Sequence, residues 1–299
     1  MKKLLKWLGI LLIGLVAIGL LAVAGVYIVS GSDINKTYDV AVQPITIPTD
    51  AAAIEEGARL TTIRGCNDCH DADFGGKLFI DDPMLGTFHT ANLTSGAGSA
   101  TAQYSVEDWD RAIRHGINPE GKGVMIMPAN EFSVLSDEQL GQIVAYLQSV
   151  PPVDREHPAP KVGLLGRALF LAGQLPLLPA TVIDHTVDHP AVIAPTASAE
   201  YGAYLVTTCM GCHQANLAGG PVPGAAPGDP PSANLTPAGH LANWTLEDFR
   251  TVMRNGVTPE GIALNPEVMP WPIMQHMTDV EIEALWLYLN GLPAVASVQ

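Results

Sequence analysis

The chain has 299 residues with 30 Asp and Glu against 15 Lys and Arg, a formal charge of −15, and 47% hydrophobic residues. That balance excludes a protein that grips nucleic acid, because little is available to neutralise phosphates, and the hydrophobic content excludes a disordered solvating chain. Gly and Pro together supply 53 residues, so a loop-rich globular chain of one large or two small domains is expected.

Lys2, Lys3 and Lys6 stand ahead of residues 7–29, which carry no charge and are mostly Leu, Ile, Val, Ala and Gly. A helix over that run reaches roughly 34 Å at about 1.5 Å per residue, enough for a bilayer core. Residues 1–29 are therefore predicted to be a basic cytoplasmic tip and a transmembrane anchor, with the rest of the chain on the outer face of the cytoplasmic membrane or in the periplasm. A signal peptide cleaved near Ala22-Val23-Ala24 is the alternative, although signal h-regions run only about 7–15 apolar residues. A buried core helix is the third reading. Beyond residue 29 there are 12 basic and 30 acidic residues, a net of −18.

Residues 30–49 read as a linker and 50–150 as the first domain. "TDAAAIEEGARLTTIRG" is helical in pattern and runs into Cys66-Asn67-Asp68-Cys69-His70. A short helix, "VEDWDRAIRHG", stops at Gly116, and Met127-Pro128 follows. Ser136-x-x-Gln139 is a capping box opening a helix that buries Leu140, Ile143, Val144 and Leu147. Residues 151–196 join the halves. "PPVDREHPAP" is an extended spacer, and "VGLLGRALFLAGQLPLLPA", interrupted by Arg167 and ended by Pro176, is too short for a second span. It is expected to pack along one of the domains, with a membrane-surface contact as the alternative.

Residues 197–299 repeat the first unit. "SAEYGAYLVTT" precedes Cys209-Met210-Gly211-Cys212-His213, and the loop "AGGPVPGAAPGDPPS" follows. "LEDFRTVMRNG" stops at Gly256, Met269-Pro270 comes next, and Thr278-x-x-Glu281 caps a helix burying Ile282, Leu285, Trp286 and Leu289. The offset between halves barely drifts: 143 from Cys66 to Cys209, 142 from Asn92 to Asn234, 140 from Ser105 to Thr245, 142 from Met127 to Met269. Such self-similarity marks a duplicated domain.

All four cysteines lie in the pattern C-x-x-C-H, the attachment sequence of c-type haem. Two thiols three positions apart share one side of a helical turn and can each take a vinyl group as a thioether, while the adjacent imidazole faces the iron. Two covalently bound haem c groups are thus expected, on Cys66, Cys69 and His70 and on Cys209, Cys212 and His213. Structural zinc wants four ligands, which two separate three-ligand clusters fit poorly, and a thioredoxin-type dithiol lacks its βαβ context.

Helix, C-x-x-C-H, loops, Met-Pro, terminal helix: over roughly residues 50–150 and 197–293 the chain resembles class I c-type cytochromes. It is most similar to membrane-anchored dihaem cytochromes, including cytochrome c subunits of periplasmic dehydrogenases. The resemblance implies an all-α fold of two tandem domains in which the first helix crosses the last. It also implies a methionine before the last helix as the distal ligand, which points to Met127 and Met269, 57 and 56 residues beyond His70 and His213. The chain departs from three-haem alcohol dehydrogenase subunits in having two attachment motifs.

Met125, Met274 and Met277 are neighbouring alternatives, but only Met127 and Met269 share a repeat position before proline. The remaining histidines do not recur between halves and read as surface or loop residues. Arg114 and Arg254 do recur, as propionate partners or as exposed helix-end charges favoured by the dipole. Asn92 and Asn234 recur as loop-shaping residues or propionate donors. Trp109 and Trp244 shield haem or fill core.

The function expected is outer-sphere electron transfer, because His/Met ligation keeps iron six-coordinate and methionine raises the potential. The relay would connect a dehydrogenase or quinol-oxidising complex with an oxidase or soluble cytochrome, through partners whose basic patches face this acidic surface. The alternative is a dihaem enzyme, a peroxidase or an oxidase of a small substrate, with one haem as the catalytic site. A haem-based sensor would want a signalling domain, for which no segment remains.

Overall fold

The computed structural model describes residues 2–222 and 228–297. Part of the second Gly/Pro-rich loop (223–227) and the extreme ends of the first and last predicted segments (1 and 298–299) lie outside the described residues.

Helix α1 (Lys2–Ile34) is long and apolar enough to cross a membrane. Its side chains are exposed through Ala24, and packing against the rest of the protein begins at Gly25.

The first haem-motif unit begins with α2 (Ala51–Ile63), whose amino end is capped by Asp50 accepting from Ala53 N–H at 3.0 Å. It is followed by α3 (Cys66–His70), α4 (Val106–His115), α5 (Ala129–Phe132) and α6 (Asp137–Ser149). Helix α4 carries a full capping box, Ser105 with Asp108, and ends at Gly116, whose φ of 63° is the left-handed value that favours glycine. Helices α2 and α6 cross at Gly57, where any side chain would run into the Gln142 carbonyl. Apolar spacing along α6 buries Leu140, Ile143, Val144 and Leu147, as read from the sequence.

The linker adds α7 (Leu164–Leu171) and a 3₁₀ turn at Pro179–Thr181. Arg167 on α7 donates to Ser30 Oγ at 2.9 Å and lies 4.7 Å from the Tyr27 ring centroid, which ties α7 to the end of α1. Ile34, Phe170 and Leu175 pack around a satellite core of Phe88, Leu177 and Leu178. The second unit comprises α8 (Ala199–Leu205), α9 (Thr207–His213), α10 (Leu246–Asn255), α11 (Trp271–Met274) and α12 (Asp279–Asn290). Helix α8 crosses α12 at Gly202, over the Ala284 carbonyl, as α2 crosses α6.

The fold is mostly helical, with one departure from an all-α chain. Strands β1 (Leu78–Asp82), β2 (Gly86–His89) and β3 (Lys161–Val162) form a small antiparallel sheet in the order β1-β2-β3. Strands β1 and β2 form a hairpin in the loop after the first motif, and β3 comes from the linker, so the β2–β3 pairing joins distant segments.

One main core runs through both units, from Leu60, Ile143 and Val144 to Leu205, Ile282 and Leu285. Reciprocal polar contacts fasten the halves. Arg59 of α2 makes a two-pronged ion pair with Glu281 of α12 at 2.7 and 2.9 Å. Tyr204 of α8 correspondingly donates to Gln139 Oε1 of α6 at 2.6 Å. This explains why the box predicted at Ser136 is only half made: Ser136 Oγ accepts from Gln139 N–H, but the Gln139 side chain is taken by Tyr204. Trp286, predicted to be buried, is only half-buried.

Candidate functional site

The two C-x-x-C-H segments occupy the same local setting. Each forms a short helix directly after the first helix of its unit, α3 after α2 and α9 after α8. Immediately past each histidine the chain turns through positive φ, at Asp71 (φ 69°) and Gln214 (φ 68°), and again at Phe74 (φ 56°) and Leu217 (φ 58°). These are non-glycine residues, and such backbone strain is kept where the surroundings fix it. The reversal lets Gly76 N–H reach the His70 carbonyl at 2.9 Å and Gly219 N–H reach that of His213 at 3.1 Å.

Each histidine is oriented by its inner ring nitrogen. His70 Nδ1–H donates to the Ala91 carbonyl at 2.8 Å, and His213 Nδ1–H donates to that of Ala233 at 2.7 Å. The tautomer so fixed leaves Nε2 with its lone pair, the form an iron ligand needs. Burial lowers both imidazole pKa values, against the opposing carbonyl bonds, and keeps the rings neutral.

The four thiols are free of disulfides and half-buried. Burial pushes Cys66 and Cys209 up to about 12, so both stay protonated. Cys69 and Cys212 are raised for the same reason. Protonated, apolar-packed thiols beside a neutral imidazole suit a flat apolar macrocycle with one nitrogen ligand. The segments also hold orphaned polar atoms, Asn67 Oδ1 within the first motif and Arg64 Nε and Nη2 just ahead of it. On donor chemistry and unmet hydrogen-bond capacity, the residues fit haem c.

The methionines separate by packing. Met127 is half-buried and rests on the main core, whereas Met125 packs on the satellite core around Phe88 and Leu177. Met127 follows Ile126, held at φ 67° with its N–H on the Leu177 carbonyl at 2.9 Å. A β-branched residue rarely enters that region. Met269 is half-buried in a loop pinned by its own N–H to Asn265 O at 2.9 Å. Met274 and Met277 are buried in the core among Ile63, Leu205 and Leu285, beside Cys209.

The recurring arginines and asparagines are engaged by groups of the protein itself. Arg114 Nε and Nη2 grip both oxygens of Asp110 at 2.6 Å, and Nη1 bonds the Leu135 carbonyl and Asp137. Arg254 likewise bonds the Gln275 carbonyl and Asp279. In both units the arginine fastens the end of one helix, α4 or α10, to the start of the last, α6 or α12. Asn92 and Asn234 shape loops. Each accepts from the N–H and hydroxyl of Thr94 or Thr236, and each donates to a carbonyl beyond the last helix, Val153 or Val295.

Trp109 is core against Tyr104, and Trp244 is half-buried with its indole N–H on Glu260. His115 is buried rather than on the surface, in a cluster with His185 and His189 of the linker. Its Nδ1 lies 3.1 Å from that of His185.

The residues that sequence reading passed over lie between the motifs. Arg64 reaches from the first motif to Thr208 Oγ1 at 3.0 Å and Thr207 Oγ1 at 3.5 Å, just ahead of Cys209. Glu131 of α5 lies against Gly211 inside the second motif, and burial raises its carboxyl to about 7 against the pull of Arg64. Arg64 falls opposite Thr207 when the halves are aligned, so a search for recurring residues discards it. Its one available signal was that asymmetry.

Residues 52–147 match the family model described as cytochrome c oxidase, cbb3-type, subunit III, and residues 199–293 match the model described as cytochrome c. The chain is 27% identical over 289 residues to the alcohol dehydrogenase (quinone) cytochrome c subunit of Gluconacetobacter polyoxogenes, covering 85% of this chain and 59% of that one. It is 28% identical over 299 residues to the fructose dehydrogenase cytochrome subunit of Gluconobacter japonicus, covering 86% and 57%. A diheme cytochrome c-type protein of Cereibacter sphaeroides is 25% identical over 270 residues, covering 80% and 86%. The chain thus spans under three fifths of the length of the dehydrogenase subunits. Taken with the paired motifs in matching folds, these likenesses show two tandem cytochrome c domains, behind an apolar helix long enough to span a membrane, in a chain similar to the cytochrome c subunits of quinone-dependent dehydrogenases.

Proposed function

We propose that this chain holds two haem c groups, each through both thiols of its motif, and relays electrons between a membrane-associated dehydrogenase or quinol-oxidising partner and a terminal acceptor. The observation that carries the reading is the paired setting of His70 and His213: each has Nδ1–H on a backbone carbonyl and Nε2 free, in a segment packed on one shared core. Haem c supplies reversible one-electron chemistry when bound. Cys66 and Cys69, or Cys209 and Cys212, hold it in place. His70 and His213 would offer Nε2 to the iron, and Met127 and Met269 would offer their thioether sulfurs. A soft thioether ligand would favour the reduced metal.

Helix α1 would keep the relay at the cytoplasmic membrane, with the three lysines inside and both domains outside. The acidic domains, 6 basic against 15 acidic residues in 50–150 and 2 against 9 in 197–299, would meet partners carrying basic docking patches. The likeness to dehydrogenase cytochrome subunits favours a dehydrogenase as the donor side.

The test is the visible and EPR spectrum of the purified protein, with and without carbon monoxide or cyanide. A methionine-to-iron charge-transfer band from both domains, lost one at a time in Met127→Ala and Met269→Ala, is expected. A high-spin haem that binds either ligand in the unsubstituted protein would instead favour the enzymatic alternative.

A further inference from the structure

Arg64 sits where the two attachment segments meet. It is 4% exposed, and Nη1 is anchored on Thr208 and Thr207, which directly precede Cys209. Its own Cα is two residues ahead of Cys66. The guanidinium carbon lies 5.3 Å from the centroid of the Tyr204 ring, and with Cys209 the side chain lines a small cavity floored by Ile63 and Leu205. Nε and Nη2 have no hydrogen-bond partner, and among the described residues no carboxylate comes within ion-pair distance. A guanidinium cannot shed its proton in a protein, so this is a buried positive charge that no carboxylate among the described residues pairs with. Such a charge is costly unless something at the site benefits from it. Its field reaches both motifs, since it opposes the upward pKa shifts of the Cys66 and Cys209 thiols alike. Glu131 of α5, which lies against Gly211, feels it too: Arg64 opposes the burial that raises its carboxyl.

We propose that Arg64 is a shared positioning residue of both haem sites, holding one positive charge between the first cysteines of the two motifs and thereby raising both reduction potentials. This rests on the haem reading above. An oxidised haem carries one more positive charge than the reduced form. A like charge fixed nearby in a water-poor junction therefore disfavours oxidation, and charge and burial are levers a protein has over haem potential. Because the side chain belongs to one unit and its anchors to the other, the bias acts across the junction and not on one domain.

The experiment is a spectroelectrochemical titration of the full-length holoprotein and three variants. In Arg64→Met the equilibrium constant for reduction is expected to fall about tenfold at each haem, which is 59 mV per one-electron step. Arg64→Lys, which keeps the charge, should hold both potentials near their original values. Tyr204→Phe breaks the neighbouring inter-unit bond to Gln139 without altering charge and should also leave both potentials in place. Unchanged potentials in Arg64→Met, a change at one haem only, or an equal fall in Tyr204→Phe would each overturn the proposal. If Arg64→Met does not fold, a tenfold fall in Arg64→Lys would overturn it and retention would support it. Haem covalently bound to both motif peptides in the original protein separates failure of this inference from failure of the haem reading itself.

Discussion

Arg114 and Arg254 occupy equivalent positions yet should differ sharply in what they contribute. Arg114 and Asp110 side chains are each 2% exposed, and the pair is bidentate at 2.6 Å. Removing the guanidinium strands a carboxylate in the core, a loss of about 3–5 kcal/mol for a broken buried pair. Arg254 is 29% exposed and its partner Asp279 is 73% exposed, so water screens the pair and its loss costs only about 0.2–1 kcal/mol. At about 2–4 °C per kcal/mol for a domain of this order of size, Arg114→Met should lower the melting temperature by roughly 6–20 °C and Arg254→Met by less than about 4 °C. Thermal unfolding of the holoprotein, followed by far-ultraviolet circular dichroism, reads both. A double variant, Asp110→Leu with Arg114→Met, should regain most of the loss, because no charge is left unpaired. Equal shifts in the two single variants would refute the burial reasoning. A stable Arg114→Met with altered haem potentials would instead support a propionate role for Arg114.

Three further outcomes are expected. Gly57→Ala pushes a methyl into the Gln142 carbonyl at the α2–α6 crossing, and chemical denaturation should record a loss of about 1–3 kcal/mol, as should Gly202→Ala at the equivalent crossing. The Glu131 carboxyl keeps its proton to about 7 in the folded protein, against 4.5 for an ordinary glutamate. The unfolded chain thus holds fewer protons across that interval, and stability should fall as pH rises from 4.5 to 7. Glu131→Gln should flatten that slope, and an unchanged profile would remove Glu131 as its source. Stopped-flow electron transfer with a basic redox partner should slow as ionic strength rises, whereas a salt-independent rate would contradict steering by the acidic domains.

What could be read from the sequence was what local pattern encodes. The attachment motifs, the cap at Thr278, the stops at Gly116 and Gly256, and the inward stripe of α6 all depend on neighbours within a few residues. The duplication carried each reading into the other half. Recurrence, however, marks a shared role without naming it: Arg114 and Arg254 could be read as propionate partners or helix-end charges, and the bonds that join α4 to α6 and α10 to α12 were not legible. Contacts made between distant segments left no local trace. His115 is buried because the linker delivers His185 and His189 to it, and Gln139 leaves its capping role for Tyr204. The β1-β2-β3 sheet joins a loop to the linker. Arg64 escaped for the opposite reason to Arg114: it lacks a counterpart in the second half, and it matters where the halves meet.

The claim on which everything else depends is that both C-x-x-C-H segments carry covalent haem and exchange electrons. A coulometric reductive titration of the purified protein, with proteolytic peptides weighed afterwards, tests it most directly. Two reversible electrons per chain are predicted, with peptides containing Cys66–His70 and Cys209–His213 each heavier by one haem. A single electron per chain, or either motif recovered with alkylatable thiols from fully matured protein, would contradict it.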